Sequence, residues 1–200
     1  KGSFVRKARL TMVAFVMVFL VWIDLFSVGK RYLNKDHFVT PKDFTAQYDL
    51  RPVDEVILED TDLDYRVLDI SVNTFNSSIP SYHHKTIGGY SPVKLQRYQD
   101  LIERYITSEI YEIYDIVENA ETVTEVSETL PKLKVTSLLN GRYIILGAEY
   151  PPVVNQHAYG NAWFVSSSVP AETPDDEIAL LASTDLRTTA VIGDDFAWAR

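Results

Sequence analysis

Side chains suited to chemistry are densest between Asn73 and Arg104. The run Asn73-Thr74-Phe75-Asn76 is followed by Pro80-Ser81-Tyr82-His83-His84-Lys85-Thr86-Ile87-Gly88-Gly89-Tyr90-Ser91-Pro92, and six of the twelve tyrosines fall between Tyr82 and Tyr114. Ser91 is a favourable N-cap and Pro92 a favourable first helical residue. The sequence therefore predicts a helix from this point, with Leu95, Tyr98, Ile102 and Tyr105 on its buried face. Lys94, Arg97 and Arg104 occupy the neighbouring stripe. A glycine pair that permits close backbone approach, a helix amino end with free N–H groups and a basic row are thereby expected together, an arrangement suited to phosphate or carboxylate. The candidate substrate-binding residues are Tyr82, His83, Lys85, Gly88, Gly89, Tyr90, Lys94 and Arg97. The competing reading is structural: Gly88-Gly89 makes a turn, Ser91 caps a helix, and the basic row is a solvated face paired with Asp100 and Glu103.

Other chemistries find less support. His83 and His84 are adjacent, a spacing that sends them to opposite faces of a strand, so no metal site is assigned to them or to His37 and His157. For His83 a buried, hydrogen-bonded role is favoured over acid–base work. The acidic groups Asp60-Asp62-Asp64 and Asp175-Asp176-Glu177 could in principle perform glycoside chemistry at a defined separation, but an acidic composition generates such pairs by itself. The first group lacks the Gly and the terminal Glu of a calcium loop, and no Gly-x-Ser-x-Gly elbow occurs. With no cysteine, thiol catalysis, disulfides and Cys-based zinc sites are excluded. No catalytic residue and no cofactor are assigned.

The chain has 200 residues, 46% hydrophobic and 12% aromatic, enough for a well-filled domain and incompatible with a disordered tail. Its formal charge of −9 argues against a nucleic-acid partner, because binding by counterion release needs a basic surface. The charge is unevenly spread: residues 30–200 hold 15 basic and 27 acidic side chains, a net −12.

Several elements would position the candidate residues. Residues 66–72 and 142–147 read as buried strands, the second entered through the turn signal Asn140-Gly141, and 162–165 as a third. Pro174-Asp175-Asp176-Glu177 opens a shorter helix whose early acids favour its positive dipole end, with Ile178, Leu181 and Ala182 at core spacing. Residues 190–192 begin a further strand. Leu10 to Val28 is almost wholly apolar, and its nineteen positions span roughly 28 Å, near the ~30 Å hydrocarbon thickness of a bilayer. Arg6, Lys7 and Arg9 precede the run and place its amino end in the cytosol, while Trp22 and Asp24 fall near the outer interface. A cleavable signal peptide and a buried soluble helix are the rival readings. The first lacks an Ala-x-Ala-like site and the second a polar stripe. Broken by Pro41 and Pro52, residues 30–60 read as an extended connector, with Lys30, Arg31 and Lys35 anchoring the helix end. The predicted architecture is an α/β or α+β extracytoplasmic domain over residues 61–200, with one N-terminal transmembrane helix and its basic flank over 1–29.

The chain starts with Lys, and Phe196 and Trp198 stand at its carboxyl end with nothing beyond to close a core, so it is expected to be a piece of a larger protein. A family pattern points the same way. Asp24-Leu25 closing the apolar helix, Lys30-Arg31-Tyr32-Leu33-Asn34, Tyr65-Arg66-Val67-Leu68, Asn73-Thr74-Phe75-Asn76 and the block from Ser81 to Tyr90 with Lys94 to Ile102 resemble the YfhO-type bacterial membrane proteins in their Bacteroidetes form. Leu138 to Ile145 and Gly160 to Val165 resemble later blocks of the same family, while Ser91-Pro92-Val93 departs from its usual pattern. The resemblance implies a polytopic inner-membrane protein related to GT-C glycosyltransferases, which take a sugar from a lipid-phosphate carrier and add it to an envelope glycan. It implies membrane lipid and a lipid-phosphate-linked sugar as partners, and a catalytic carboxylate in an early outer loop that this chain does not contain. The alternative expectation is a non-enzymatic, membrane-tethered binding or scaffolding domain of the envelope.

Overall fold

The computed structural model describes the backbone of residues 2–130 and 133–199, and the side chains of 5–130 and 133–196. It divides into two compact units, Lys1–Gln47 and Tyr48–Arg200. The first unit is led by helix α1 (Gly2–Tyr32), which runs unbroken because no Pro, and no Gly before Gly29, interrupts the apolar run. Hydroxyls inside that run return to the helix's own carbonyls, Thr11 to Lys7 at 3.0 Å and Ser27 to Asp24 at 2.8 Å, so neither would be unsatisfied in hydrocarbon. Phe19, Trp22 and Phe26 stack in series, with ring centroids 6.1 and 5.2 Å apart. The helical segment Val5–His37 has a window of mean hydropathy 2.3 with no residue buried, so one helix among the described residues is long and apolar enough to cross a bilayer.

The expected extended connector over 30–60 is replaced by short helices. Pro41 opens α2 (Pro41–Ala46), where the Thr40 hydroxyl accepts the N–H of Asp43 at 3.1 Å. Pro52 opens α3 (Pro52–Leu58), which belongs to the second unit and buries Val53 and Ile57 in its core. Both prolines sit at the first helical position, where a missing N–H leaves nothing unsatisfied.

In the second unit β1 (Arg66–Asp69) pairs parallel with β2 (Gly141–Ile145), and β2 antiparallel with β3 (Val153–Val154). The crossover from β1 to β2 carries α4 (Gln96–Leu101), a π-helical turn over Ile102–Ile106, α5 (Thr107–Asn119), α6 (Val123–Thr129) and α7 (Lys134–Leu138). Alternate strand residues serve two cores. Leu68 and Ile144 pack with Ile102, Ile106 and Ile113 from the helical crossover, whereas Val67 and Ile145 pack with Val53 and Ile57 of α3. Both faces are covered, so these short strands read as apolar runs. A second sheet joins β4 (Ser167–Ala171) and β5 (Thr189–Gly193) in parallel around α8 (Pro174–Ser183). The body is thus mixed α/β with two small sheets.

The helix at 174 and the strand near 190 form where the sequence predicts them, α8 with a reciprocal cap between Thr173 and Asp176. Two other elements are displaced. The helix expected at Ser91 starts at Gln96, because the Ser91 hydroxyl accepts the N–H of Val93 at 3.3 Å and closes a local turn instead. No strand forms over 162–165: the Trp163 indole donates to the Leu186 carbonyl at 2.9 Å, Phe164 is fully exposed, and β4 begins at Ser167. Phe196 is exposed, while the side chain of Trp198 lies outside the described residues.

Candidate functional site

Residues 82–90 lie as a strap along the free edge of β1. Val67 donates to the Lys85 carbonyl at 2.8 Å and Ile87 to the Val67 carbonyl at 2.9 Å, forming a parallel bridge at Thr86. Within the strap Ile87 is buried, while Lys85 is exposed and its ammonium donates to the Leu63 carbonyl at 2.6 Å. The glycine pair makes the close approach that holds the strap. A Cβ on Gly88 would stand 2.1 Å from the Thr74 carbonyl oxygen, and Gly89, at φ +108°, donates its N–H to that oxygen at 2.7 Å. The Gly89 N–H is therefore committed, and the helix amino end lies at Gln96. The expected single cradle of glycine pair, helix end and basic row is not assembled.

The basic row faces acids, but not those expected. Asp100 and Glu103 accept from Gln96 and Gln99 at 2.8 and 2.7 Å, whereas Arg97 stands 3.7 Å from Glu177 and 4.0 Å from Asp195, and Arg104 2.9 Å from Asp175. These pairs are exposed and contribute little. Lys94 differs, lying 5.5 Å from the ring centroid of Phe75 in a cation–π contact. The thirty residues from Ile70 to Gln99 contain no Asp or Glu, yet hold Lys85, Lys94 and Arg97. The same stretch exposes Tyr82, Tyr90, Val93 and Leu95, the last two at 84% and 75%. Tyr82 is steadied by Tyr48, with ring centroids 4.3 Å apart. Within a strongly acidic body, this stretch of chain combines basic side chains with exposed aromatic and aliphatic ones.

Beneath the strap lies a polar network that the sequence reading did not foresee. His83 Nε2 meets the Tyr48 carbonyl at 3.0 Å, while His84 Nε2 meets Asp54 Oδ1 at 2.9 Å, so the adjacent rings serve different partners. Arg51 donates to Asp54 through Nε at 2.7 Å and Nη2 at 2.8 Å, and to Asp69 through Nη2 at 2.9 Å. Asp69 also accepts from the backbone N–H and hydroxyl of Ser71 at 2.9 and 2.6 Å. Burial pushes the Asp54 carboxyl up, but hydrogen bonds from Arg51 and His84 outweigh it and hold the group at about 2. Burial pulls the His84 imidazole below its ordinary value despite the Asp54 carboxylate. His84 is therefore neutral at pH 7, with its Nε2–H donating to an ionised Asp54. Its Nδ1 is buried with no partner among the described residues. The network fastens α3, β1 and the strap together, with the His84 side chain buried within it.

The acidic run is also engaged. Asp60 accepts from the Tyr143 hydroxyl at 2.7 Å and Arg142 at 3.0 Å, and Asp62 pairs with Arg142 at 3.0 Å. The Tyr143 hydrogen bond leads the influences that hold the Asp60 carboxyl below its ordinary value. Among the described residues no three His, Asp or Glu side chains converge to hold a metal ion. Comparison with protein-family models, curated proteins and solved structures finds no match to this chain.

Proposed function

We propose that this chain is part of a polytopic bacterial inner-membrane protein, related to GT-C glycosyltransferases, that uses a lipid-phosphate-linked sugar to modify envelope polymers. On this reading α1 spans the membrane with its basic amino flank in the cytosol, residues 48–200 stand outside, and the catalytic carboxylate belongs to another part of the protein. The observation that supports the assignment best is the acid-free stretch from Ile70 to Gln99 on a body that is otherwise acidic. Lys94, which no carboxylate engages among the described residues, meets the carrier phosphate, and Arg97 exchanges its loose contacts with Glu177 and Asp195 for the same group. Tyr82 and Tyr90 offer ring faces to the sugar. Lys85 and His83 flank them, and Gly88 and Gly89 fix the loop that presents Tyr90.

One observation favours a second reading, a tethered binding or scaffolding domain: the stretch itself contains no carboxylate to act as acid or base. The full-length protein carrying Lys94→Ala and Arg97→Ala separates the two. Loss of sugar transfer with an unchanged melting temperature supports the enzyme reading, and retained transfer removes the site assignment. Binding of glycan or lipid phosphate by the intact protein without any transfer favours the scaffold.

A further inference from the structure

A cavity of about 400 Å³ opens at the carboxyl end of α8, walled by α7, the loop after β3 and the turn Ser183 to Arg187. Its lining carries two cations that the fold holds in place. Lys134 donates to the Ala182 carbonyl, and Arg187 lies 4.4 Å from the ring centroid of Tyr159 while its Nη2 donates to the His157 carbonyl at 2.8 Å. Both keep unused N–H groups, since an ammonium has three donors and a guanidinium five. The one carboxylate of the lining, Asp185, already accepts from the backbone N–H of Arg187 at 3.1 Å and the Thr188 hydroxyl at 3.2 Å. The Tyr159 hydroxyl and the His157 imidazole have no hydrogen-bond partner among the described residues, and buried Ser137, whose oxygen accepts from Asn155 Nδ2 at 3.0 Å, keeps an O–H to donate. Burial raises the Tyr159 hydroxyl above its ordinary pKa, so it stays a neutral donor.

This lining discriminates among ligands. Two fixed cations repel a metal ion or an ammonium. The scarcity of apolar side chains, Leu133 and Leu186 among mostly polar neighbours, gives an apolar molecule little to bury against. The volume is at the small end of ligand cavities, ~300–1,000 Å³, which suits one sugar ring and not a chain of them. We propose that this cavity binds a monosaccharide bearing a carboxylate or a phosphate, with Arg187 and Lys134 on the anionic group and Ser137, His157 and Tyr159 on its hydroxyls. The site is separate from the 70–99 surface, because Arg97 faces the first turns of α8 and the cavity lies past its last, roughly 10 Å further along the axis.

Isothermal titration of the full chain in detergent micelles with glucuronate, glucose 6-phosphate, glucose and inorganic phosphate tests this. Saturable binding of glucuronate or glucose 6-phosphate at one site is expected, at least tenfold tighter than glucose. The stronger of the two identifies the anionic group. Arg187→Met and Lys134→Met should each weaken it tenfold or more, in samples whose melting temperature shows that they are folded, while Arg104→Met leaves it unchanged. Absence of saturable binding, inorganic phosphate binding as tightly as the sugar phosphate, or affinity indifferent to both cavity substitutions would overturn the proposal.

Discussion

Replacing Asp54 with Asn probes the buried network in a quantity the geometry can anticipate. Four donors converge on this carboxylate: Arg51 Nε at 2.7 Å, Arg51 Nη2 at 2.8 Å, the Arg51 backbone N–H at 3.1 Å and His84 Nε2 at 2.9 Å. Asn preserves the volume but removes the charge, and turns one acceptor into an NH₂ facing groups that are themselves donors. Breaking a buried ion pair costs ~3–5 kcal/mol. Arg51 keeps Asp69, so the lower end, about 3 kcal/mol, is expected at pH 7. A second signature follows from linkage. The Asp54 carboxyl is depressed from 3.8 to about 2 by folding, so its contribution is complete above pH 3.8 and disappears as pH falls toward 2. That shift corresponds to about 2 kcal/mol, by which the wild-type advantage should narrow between pH 4 and 2. His84 is also depressed on folding, so its stabilising share is present above pH 6.5 and lost as pH falls through its lower folded value. Urea unfolding in micelles at a series of pH values, followed by near-ultraviolet circular dichroism, measures each quantity. A loss below 1 kcal/mol at pH 7, or a wild-type advantage that does not narrow in acid, would refute the reasoning.

Glu109, 6% exposed on α5, accepts the N–H groups of Val135 and Thr136 at 2.7 and 2.9 Å and the Thr136 hydroxyl at 2.6 Å, serving as the amino cap of α7 from a distant helix. Glu109→Ala should cost about 3 kcal/mol and accelerate hydrogen exchange at those two amides, with Glu109→Gln recovering part of the loss. Gly88→Ala forces a Cβ to within 2.1 Å of the Thr74 carbonyl, so the strap must lift from β1. Exchange of the Ile87 amide should rise at least tenfold, while the amides of β5 keep their protection.

Local chemistry in the sequence was enough for some elements and not for others. Thr173, Pro174 and Asp176 lie within four residues of one another and fix the start of α8 without help from the rest of the chain. Asn140 at φ 60° likewise marks the entry to β2 by its own tolerance of the left-handed region. Pro41 and Pro52 misled, because a proline that breaks a helix and one that begins it look alike until the following turn is known. Ser91 misled in the same way, as its hydroxyl could satisfy a nearby turn as readily as a helix end. The network under the strap depends on partners 18 and 30 residues apart, Arg51 with Asp69 and Asp54 with His84, which no short pattern reveals. Its local traces are Arg51 three residues before Asp54 and Ser71 two residues after Asp69. The basic row was legible as a stripe, but its pairing with acids of α8 required the second sheet to be in place.

The proposed function requires α1 to thread a bilayer with its basic end inside, and the absence of cysteine from these 200 residues allows a direct measurement. Single cysteines at Lys7, before the apolar run, and at Phe164, fully exposed on the body, can be probed in intact bacterial spheroplasts with a membrane-impermeant maleimide. Labelling of Phe164→Cys in sealed spheroplasts, with Lys7→Cys reacting only after lysis, is the predicted result. Protection of Phe164→Cys until the membrane is broken would contradict it, and the envelope-sugar function would fall with the topology.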